Sequence, residues 1–282
     1  MVGVLGVSAS AILVRFSQAP SGVTAAYRLG WTVLLLLPVV LLRCRAELRR
    51  VTARDLVLCG ASGVLLALHF LTWFESLKRT SVASSTVLVS TEVIFTAMGF
   101  ALFLHGKIPR LGVWAILLAF GGSALLALSG GGGAGELSSN LLALAAASAA
   151  AVYTLIGRIQ RGHLSTTVYT FLTYLACFLT LLLGTAAAGT PLTGYGGREW
   201  LIGLALAVLC TLLGHSLFSW CLKYLSPSYV SAAKLCEPVF SSLAAIPLFG
   251  EVPGPLQLAG GAAVLGAVLL YTWAEREKTP AG

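Results

Sequence analysis

Charge is scarce in this chain. Only 10% of its 282 residues are Asp, Glu, Lys or Arg, against ~25% in ordinary soluble domains. A soluble fold of this length cannot cover its surface with so few charges, which excludes an ordinary cytosolic enzyme, a disordered chain and a nucleic-acid-binding domain. Paired metal-ligand cysteines are also missing. Cys44, Cys59, Cys177, Cys210, Cys221 and Cys236 form no Cys-x-x-Cys, and no histidine stands at zinc-like spacing from them. Most lie in apolar runs, where a free thiol behaves as a small hydrophobe, so no metal and no cofactor is expected. Alternation is absent too: runs such as 32–42 and 141–152 show no polar–apolar period, which excludes a transmembrane β-barrel. Long loops are lacking, so no soluble catalytic domain fits between the apolar segments.

What is present is apolar. Hydrophobic residues make up 57% of the chain and the mean hydropathy is +0.91. Ten apolar segments fall near 1–17, 22–42, 56–77, 82–104, 111–129, 138–157, 166–188, 200–222, 229–249 and 256–274. Each approaches the ~20 residues a helix needs to cross ~30 Å of hydrocarbon. Helices are required because lipid offers no partner to free backbone groups. The first segment lacks the basic start of a signal peptide. It reads as a crossing, whether or not residues precede it. The links are a basic loop at 43–54, a glycine-rich link at 130–135, a turn-rich loop at 191–197 and a polar tail. The glycine-rich link lacks the Lys-Ser/Thr ending of a phosphate loop and reads as a connector.

The net charge of +8 is distributed unevenly. With the N-terminus inside, the inner loops hold Arg43, Arg45, Arg49, Arg50, Arg54, Lys107, Arg110, Arg158, Arg161, Lys223, Arg276 and Lys278; the outer loops hold Arg15, Lys78, Arg79 and Arg198. Basic loops stay in the cytoplasm. Both termini are therefore expected inside, in a multi-pass protein of the inner (cytoplasmic) membrane.

The chain also repeats. Leu77, Lys78, Ser81, Glu92 and Phe95 recur as Leu222, Lys223, Ser226, Glu237 and Phe240, at a constant offset of 145. After a one-residue slip, Gly106, Pro109 and Gly122 recur as Gly250, Pro253 and Gly266. Each copy holds five segments. An odd number forces the second copy to enter the membrane from the opposite side, giving an inverted-topology repeat of the kind secondary transporters use. The expected fold is an all-α integral membrane protein of ten helices, five plus five. Residues 1–132 form the first copy, 136–274 the second and 275–282 a cytoplasmic tail.

The run from Leu222 through Ser226, Lys234 and Glu237-Pro238 to Phe240, then Leu248–Pro253 and Gln257–Gly261, resembles the EamA-type domain of the drug/metabolite transporter superfamily. The first half resembles it through Ala26–Arg28, Trp73–Lys78 and Thr80–Ser85. That resemblance implies ten helices, an inverted repeat, cavity walls from segments 1–4 and 6–9, and carriage of small metabolites, commonly export of amino acids or related compounds. The halves are not identical: Gly250-Glu251 faces Gly106-Lys107, and Glu237-Pro238 faces Glu92-Val93.

Ionisable groups in apolar segments are costly and usually face a cavity or a partner. Glu92 and Glu237 occupy matching places and can bind a substrate amine or a coupling proton. Lys234 lies three residues before Glu237, a spacing that places both on one helix face, close enough to pair. Pro238 lacks an amide donor and marks a candidate hinge. Arg28 can hold a carboxylate bidentately or act as a structural or gating partner. His69 and His215 are candidate proton relays or polar walls. Trp73 and Trp220 can line the cavity or sit in an interfacial belt. The expected activity is alternating-access export of a small molecule, without catalysis. A uniporter or channel-like facilitator is one alternative. An intramembrane serine protease using Ser62 within Gly60–Gly63, with His69 as base, is another. The expected partners are the small-molecule substrate and membrane lipid, with no nucleic acid; the carrier is expected as a monomer, a dimer being the alternative.

Overall fold

A computed structural model describes residues 2–103, 110–129, 134–225, 227, 230, 234 and 236–276. Gly106, Lys107, Pro109, Ser226, most of the glycine-rich link and the tail beyond 276 lie outside the described residues. No strand occurs among those described. The helices are α1 (Val2–Phe16), α2 (Ser21–Arg43), α3 (Arg45–Leu48), α4 (Ala53–Arg79), α5 (Val82–Val89), α6 (Glu92–Phe103), α7 (Arg110–Ser129), α8 (Ala134–Gln160), α9 (Thr166–Ala187) and α10 (Gly197–Ala205). A π-helical stretch, Leu206–His215, leads into α11 (Ser216–Cys221); α12 (Cys236–Phe249) and α13 (Pro255–Arg276) complete the order.

Among the described residues, seven helical runs are long and apolar enough to cross a membrane: Ser21–Arg43, Ala53–Arg79, Val82–Phe103, Gly135–Gln160, Thr166–Ala187, Gly197–Cys221 and Pro255–Ala274. Gly6–Phe16, Arg110–Leu126 and Glu237–Phe249 are apolar but shorter. The outer surface carries large apolar side chains in the open, among them Leu102, Trp114, Leu183, Leu201 and Leu269. A monomer in water does not display so much apolar surface, whereas lipid covers it.

Local chemistry explains where these helices start and break. Thr52 and Asp55 form a reciprocal capping box at the start of α4, satisfying two of the free N–H groups there. Ser165 caps α9 through the Val168 amide at 3.2 Å. The stretch expected to be one crossing at 82–104 divides at Ser90-Thr91. Ser90 Oγ donates to Thr86 O at 2.9 Å and Thr91 Oγ1 to Leu88 O at 2.6 Å, and such side-chain bonds compete with the helical ladder. The basic loop at 43–54 contains one helical turn, α3. Its Arg-Ala-Glu-Leu sequence is made of good helix formers.

The packing sets α4 on α8 and α9, α2 on α9, and α1 on the π-helical stretch; α6 lies on α8, α12 on α1 and α5, and α7 and α13 pair together. Phe70, Phe74, Leu66, Leu77, Tyr174 and Leu181 fill the centre. Polar ties gather at two ends of this bundle. One end joins Arg15, Thr80, Arg198 and Glu251; the other joins Glu47, Asp55, Arg158 and His163.

Gly63 allows α4 and α9 to touch. A Cβ there would lie 2.5 Å from Ala176 Cβ and 2.6 Å from Thr173 O, while one at Gly60 would meet nothing within 4 Å. Thermal unfolding of purified protein should therefore show Gly63→Ala destabilised by about 1–3 kcal/mol. Gly60→Ala should be neutral or slightly stabilised, as helix propensity favours alanine.

Candidate functional site

A charge in an apolar helix needs a partner, and two of the expected ones find each other. Lys234 Nζ donates to Glu92 Oε1 at 2.9 Å and to Oε2 at 3.0 Å. Thr154 Oγ1 on α8 donates to Glu92 Oε1 at 3.0 Å. Lys234 Nζ also lies 5.5 Å from the centre of the Phe218 ring, within cation–π reach. The side chains are 16% and 6% exposed, so this ion pair is shielded from water and ions. Lys234 thus pairs across to α6. Its ion-pair partner is therefore Glu92 of the other half, not Glu237, the partner expected from their spacing.

The pair borders a small chamber. Its walls are Val7 and Ser10 of α1, Leu66, His69 and Trp73 of α4, Val89 of α5, Glu92 of α6, Ala150 and Tyr153 of α8, and His215, Lys234 and Glu237. The room inside is about 30 Å³, enough for about one or two waters. Two larger cavities are apolar grooves. One of about 250 Å³ lies beside Tyr27, Trp31, Phe178 and Trp200, and one of about 790 Å³ between α6 and α8. Neither is lined by an ionisable acid, base or histidine, so the smaller chamber is the chemically equipped one.

His69 and His215 meet at this chamber, with ring centres 6.3 Å apart. His69 Nδ1 is 3.0 Å from Ala146 O, which fixes the ring and leaves Nε2 for the chamber. Trp73 stacks on His69 at 5.7 Å, and its buried indole N–H has no partner. Glu237 lines the chamber while its backbone carbonyl accepts Ser241 Oγ at 2.6 Å. Pro238 occupies the first turn of α12, where no amide donor is required.

Arg28 lies behind the Ser10 wall and is fully buried. Its Nε donates to Thr211 Oγ1 at 2.8 Å and its Nη1 to Ser10 Oγ at 3.0 Å; the guanidinium stacks 4.2 Å over the Phe70 ring. Nη2 is buried with no hydrogen-bond partner.

Trp220 is not part of the chamber. It is half-exposed and packs on Tyr224 at 5.1 Å. The repeat partner of Trp73 at offset 145 is Phe218, and Phe218 is the ring beside Lys234. Tyr153, Thr154, Ser10 and Phe218 are the site residues that the sequence did not single out. Tyr153-Thr154 interrupts an alanine-rich run, and that interruption was the available signal. Ser62 of the Gly60–Gly63 string bonds Tyr169 Oη at 2.9 Å, and the string serves the α4–α9 contact. Among the described residues no group of three or more His, Cys, Asp or Glu is placed to hold a metal.

An all-helical body with exposed apolar outer surfaces and a buried ion pair beside a small chamber with polar walls defines a multi-crossing membrane protein. The chain belongs to the EamA-like transporter family, which matches it twice, at residues 1–128 and 137–273, and so to the drug/metabolite transporter superfamily. It is similar to the pseudopaline exporter CntI of two Pseudomonas aeruginosa strains, UCBPP-PA14 and PAO1. Each is 24% identical over 207 residues, covering 73% of this chain and 72% of the relative. A solved crystal structure shares the fold, with a TM-score of 0.68 and 18% identity over 96% of this chain and 94% of that one.

Proposed function

We propose that this transporter is a secondary carrier exporting a small metabolite with both amine and carboxylate groups, an amino acid or a related compound, by alternating access. It is read as ten crossings in two inverted halves, 1–132 and 136–274, in the inner membrane with both termini cytoplasmic. The ion pair between Lys234 of the second half and Glu92 of the first carries this reading. A zwitterion entering the chamber offers its own carboxylate to Lys234 and its ammonium to Glu92 or Glu237. It replaces the internal pair without leaving a buried charge alone. Glu237 is the group available to exchange a coupling proton.

Supporting the repeat, α1 packs on the π-helical stretch of the eighth segment as α8 packs on α4 of the third. Arg15 Nη1 donates to Leu77 O at 2.7 Å and Thr80 O at 3.3 Å; Arg158 Nη1 donates to Leu222 O at 2.6 Å and Leu225 O at 3.5 Å. Leu77 with Thr80 and Leu222 with Leu225 are 145 apart in both cases, the offset of the sequence repeat. The exporter relatives support the direction, and the basic inner loops support the orientation.

Proteoliposomes loaded in turn with labelled amino acids, amines and nucleosides test the reading. Saturable efflux of amino-acid-like zwitterions, accelerated by unlabelled substrate on the opposite side, is the expected result. Flux that rises linearly with concentration and shows no exchange would establish a channel-like facilitator instead.

A further inference from the structure

We propose that Glu199 and Glu47 are the two latches of the transport cycle, each closing one face by capping the other half's first connection. The inference rests on the carrier reading above. Glu199 stands in the first turn of α10, where the second half's third crossing begins. Its Oε2 accepts Ser17 Oγ at 2.6 Å and its Oε1 accepts the Gln18 amide at 3.0 Å. Ser17 and Gln18 join the first and second crossings of the first half. Glu47 stands in α3, just ahead of the first half's third crossing. Its Oε1 accepts the Ser165 amide at 2.6 Å, and Ser165 joins the first and second crossings of the second half.

The two contacts are therefore reciprocal. In each, a carboxylate ahead of or at the start of one half's third crossing reaches the first hairpin turn of the opposite half, and they lie at opposite ends of the bundle. Each is a charge-assisted hydrogen bond to a turn whose backbone N–H otherwise needs water. Both bonds are made at once here, so neither face is unlatched in this conformation. Opening a face requires its latch to break while the other holds. Each face carries a further side-chain tie between the halves, the Arg15–Glu251 ion pair on the Glu199 face and the 2.7 Å contact of His163 Nε2 with Asp55 Oδ1 on the Glu47 face. The Arg198 to Phe16 O bond of 3.1 Å adds to the Glu199 face.

Each latch covers a position that reports its opening. Beneath α3 lies Cys59, 1% exposed, packed with Leu164, Val168 and Tyr169. On the Glu199 face lies Ala19, 1% exposed, packed with Val23 and Tyr27. Full-length protein keeping Cys59 as its only cysteine, and a second version with Ala19→Cys as its only cysteine, are treated with a membrane-impermeant maleimide in sealed vesicles of both orientations. Glu199→Gln should raise labelling at position 19 about tenfold, the factor a charged hydrogen bond supports, and lower labelling of Cys59. Glu47→Gln should do the reverse. Glu199→Asp and Glu47→Asp, which keep the charge but shorten the reach, should shift labelling in the same directions.

The opposed response is what a structural role would not produce. If both positions become more reactive together in either variant, the effect is local loosening and the latch assignment falls. It falls equally if neither position responds. Counterflow is measured on the unmodified latches, so a carrier that exchanges substrate but shows no opposed labelling overturns the latches alone, whereas absent counterflow overturns the carrier reading.

Discussion

Lys234→Met is expected to abolish substrate flux and to lower the stability of the purified carrier by about 3–5 kcal/mol, the usual consequence of leaving one member of a buried ion pair alone. The substitution keeps most of the side chain's length and removes its charge. Glu92 then loses the ammonium that donates to both of its oxygens and keeps the Thr154 hydroxyl. Adding Glu92→Gln removes the stranded charge, and an amide can accept from Thr154 as the carboxylate did. The double variant should recover most of the lost stability, because replacing both members of a buried pair is commonly neutral or stabilising. Flux should stay at background, since neither charge remains to exchange with a zwitterion. Thermal unfolding and efflux measured on the same preparations separate the two roles. A double variant that recovers both stability and transport would make the pair purely structural.

The parts of this architecture that could be read from sequence are those encoded in composition. Apolar runs near twenty residues have one stable outcome in lipid, and seven helical runs long and apolar enough to cross, with three shorter apolar helices, occur among the described residues. Glu92 and Glu237 stood out because a carboxylate in such a run has no ordinary reason to be there. Contacts between segments were harder. The spacing of Lys234 and Glu237 suggested a local pair, whereas the partner of Lys234 proved to be Glu92, 142 residues away. Trp220 looked equivalent to Trp73, but aromatic residues are frequent in membrane segments and carry little register information, so the inward position went to Phe218. The π-helical stretch left no mark in composition. It lies where Gly6 of α1 approaches the Leu209 carbonyl so closely that a Cβ would stand 2.4 Å from it, a tertiary contact that no local pattern encodes. Thr154 and Ser10 were hidden because small hydroxyl residues in membrane helices usually bond their own backbone, and only the three-dimensional arrangement distinguishes the two that do not.

Arg28→Met should reduce flux about tenfold to a hundredfold while leaving thermal stability unchanged or raised. The expectation follows from what surrounds the guanidinium. It is buried, its two hydrogen bonds go to the hydroxyls of Thr211 and Ser10, and no carboxylate lies in ion-pair contact with it among the described residues. Burying an uncompensated cation costs several kcal/mol. Two hydrogen bonds from a charged donor return about 1.5–3 kcal/mol each, and the Phe70 face adds a smaller amount. These contributions roughly cancel, so a methionine that fills the same space should not weaken the fold. Thr211 Oγ1 already reaches Leu206 O at 3.3 Å, and a serine on a helix can turn to its own backbone, so neither hydroxyl is stranded. The unpaired Nη2 is the part of the side chain that stability does not explain. If a substrate carboxylate completes it in one state of the cycle, its loss removes one charge-assisted hydrogen bond from that state. That corresponds to the stated fall in flux at ~1.4 kcal/mol per factor of ten. Arg28→Lys should be impaired as well, because an ammonium cannot keep Thr211, Ser10 and a carboxylate in the planes that the fork serves. A variant with methionine that transports normally but melts several degrees lower would reverse the assignment and make Arg28 a brace between α1, α2 and the π-helical stretch.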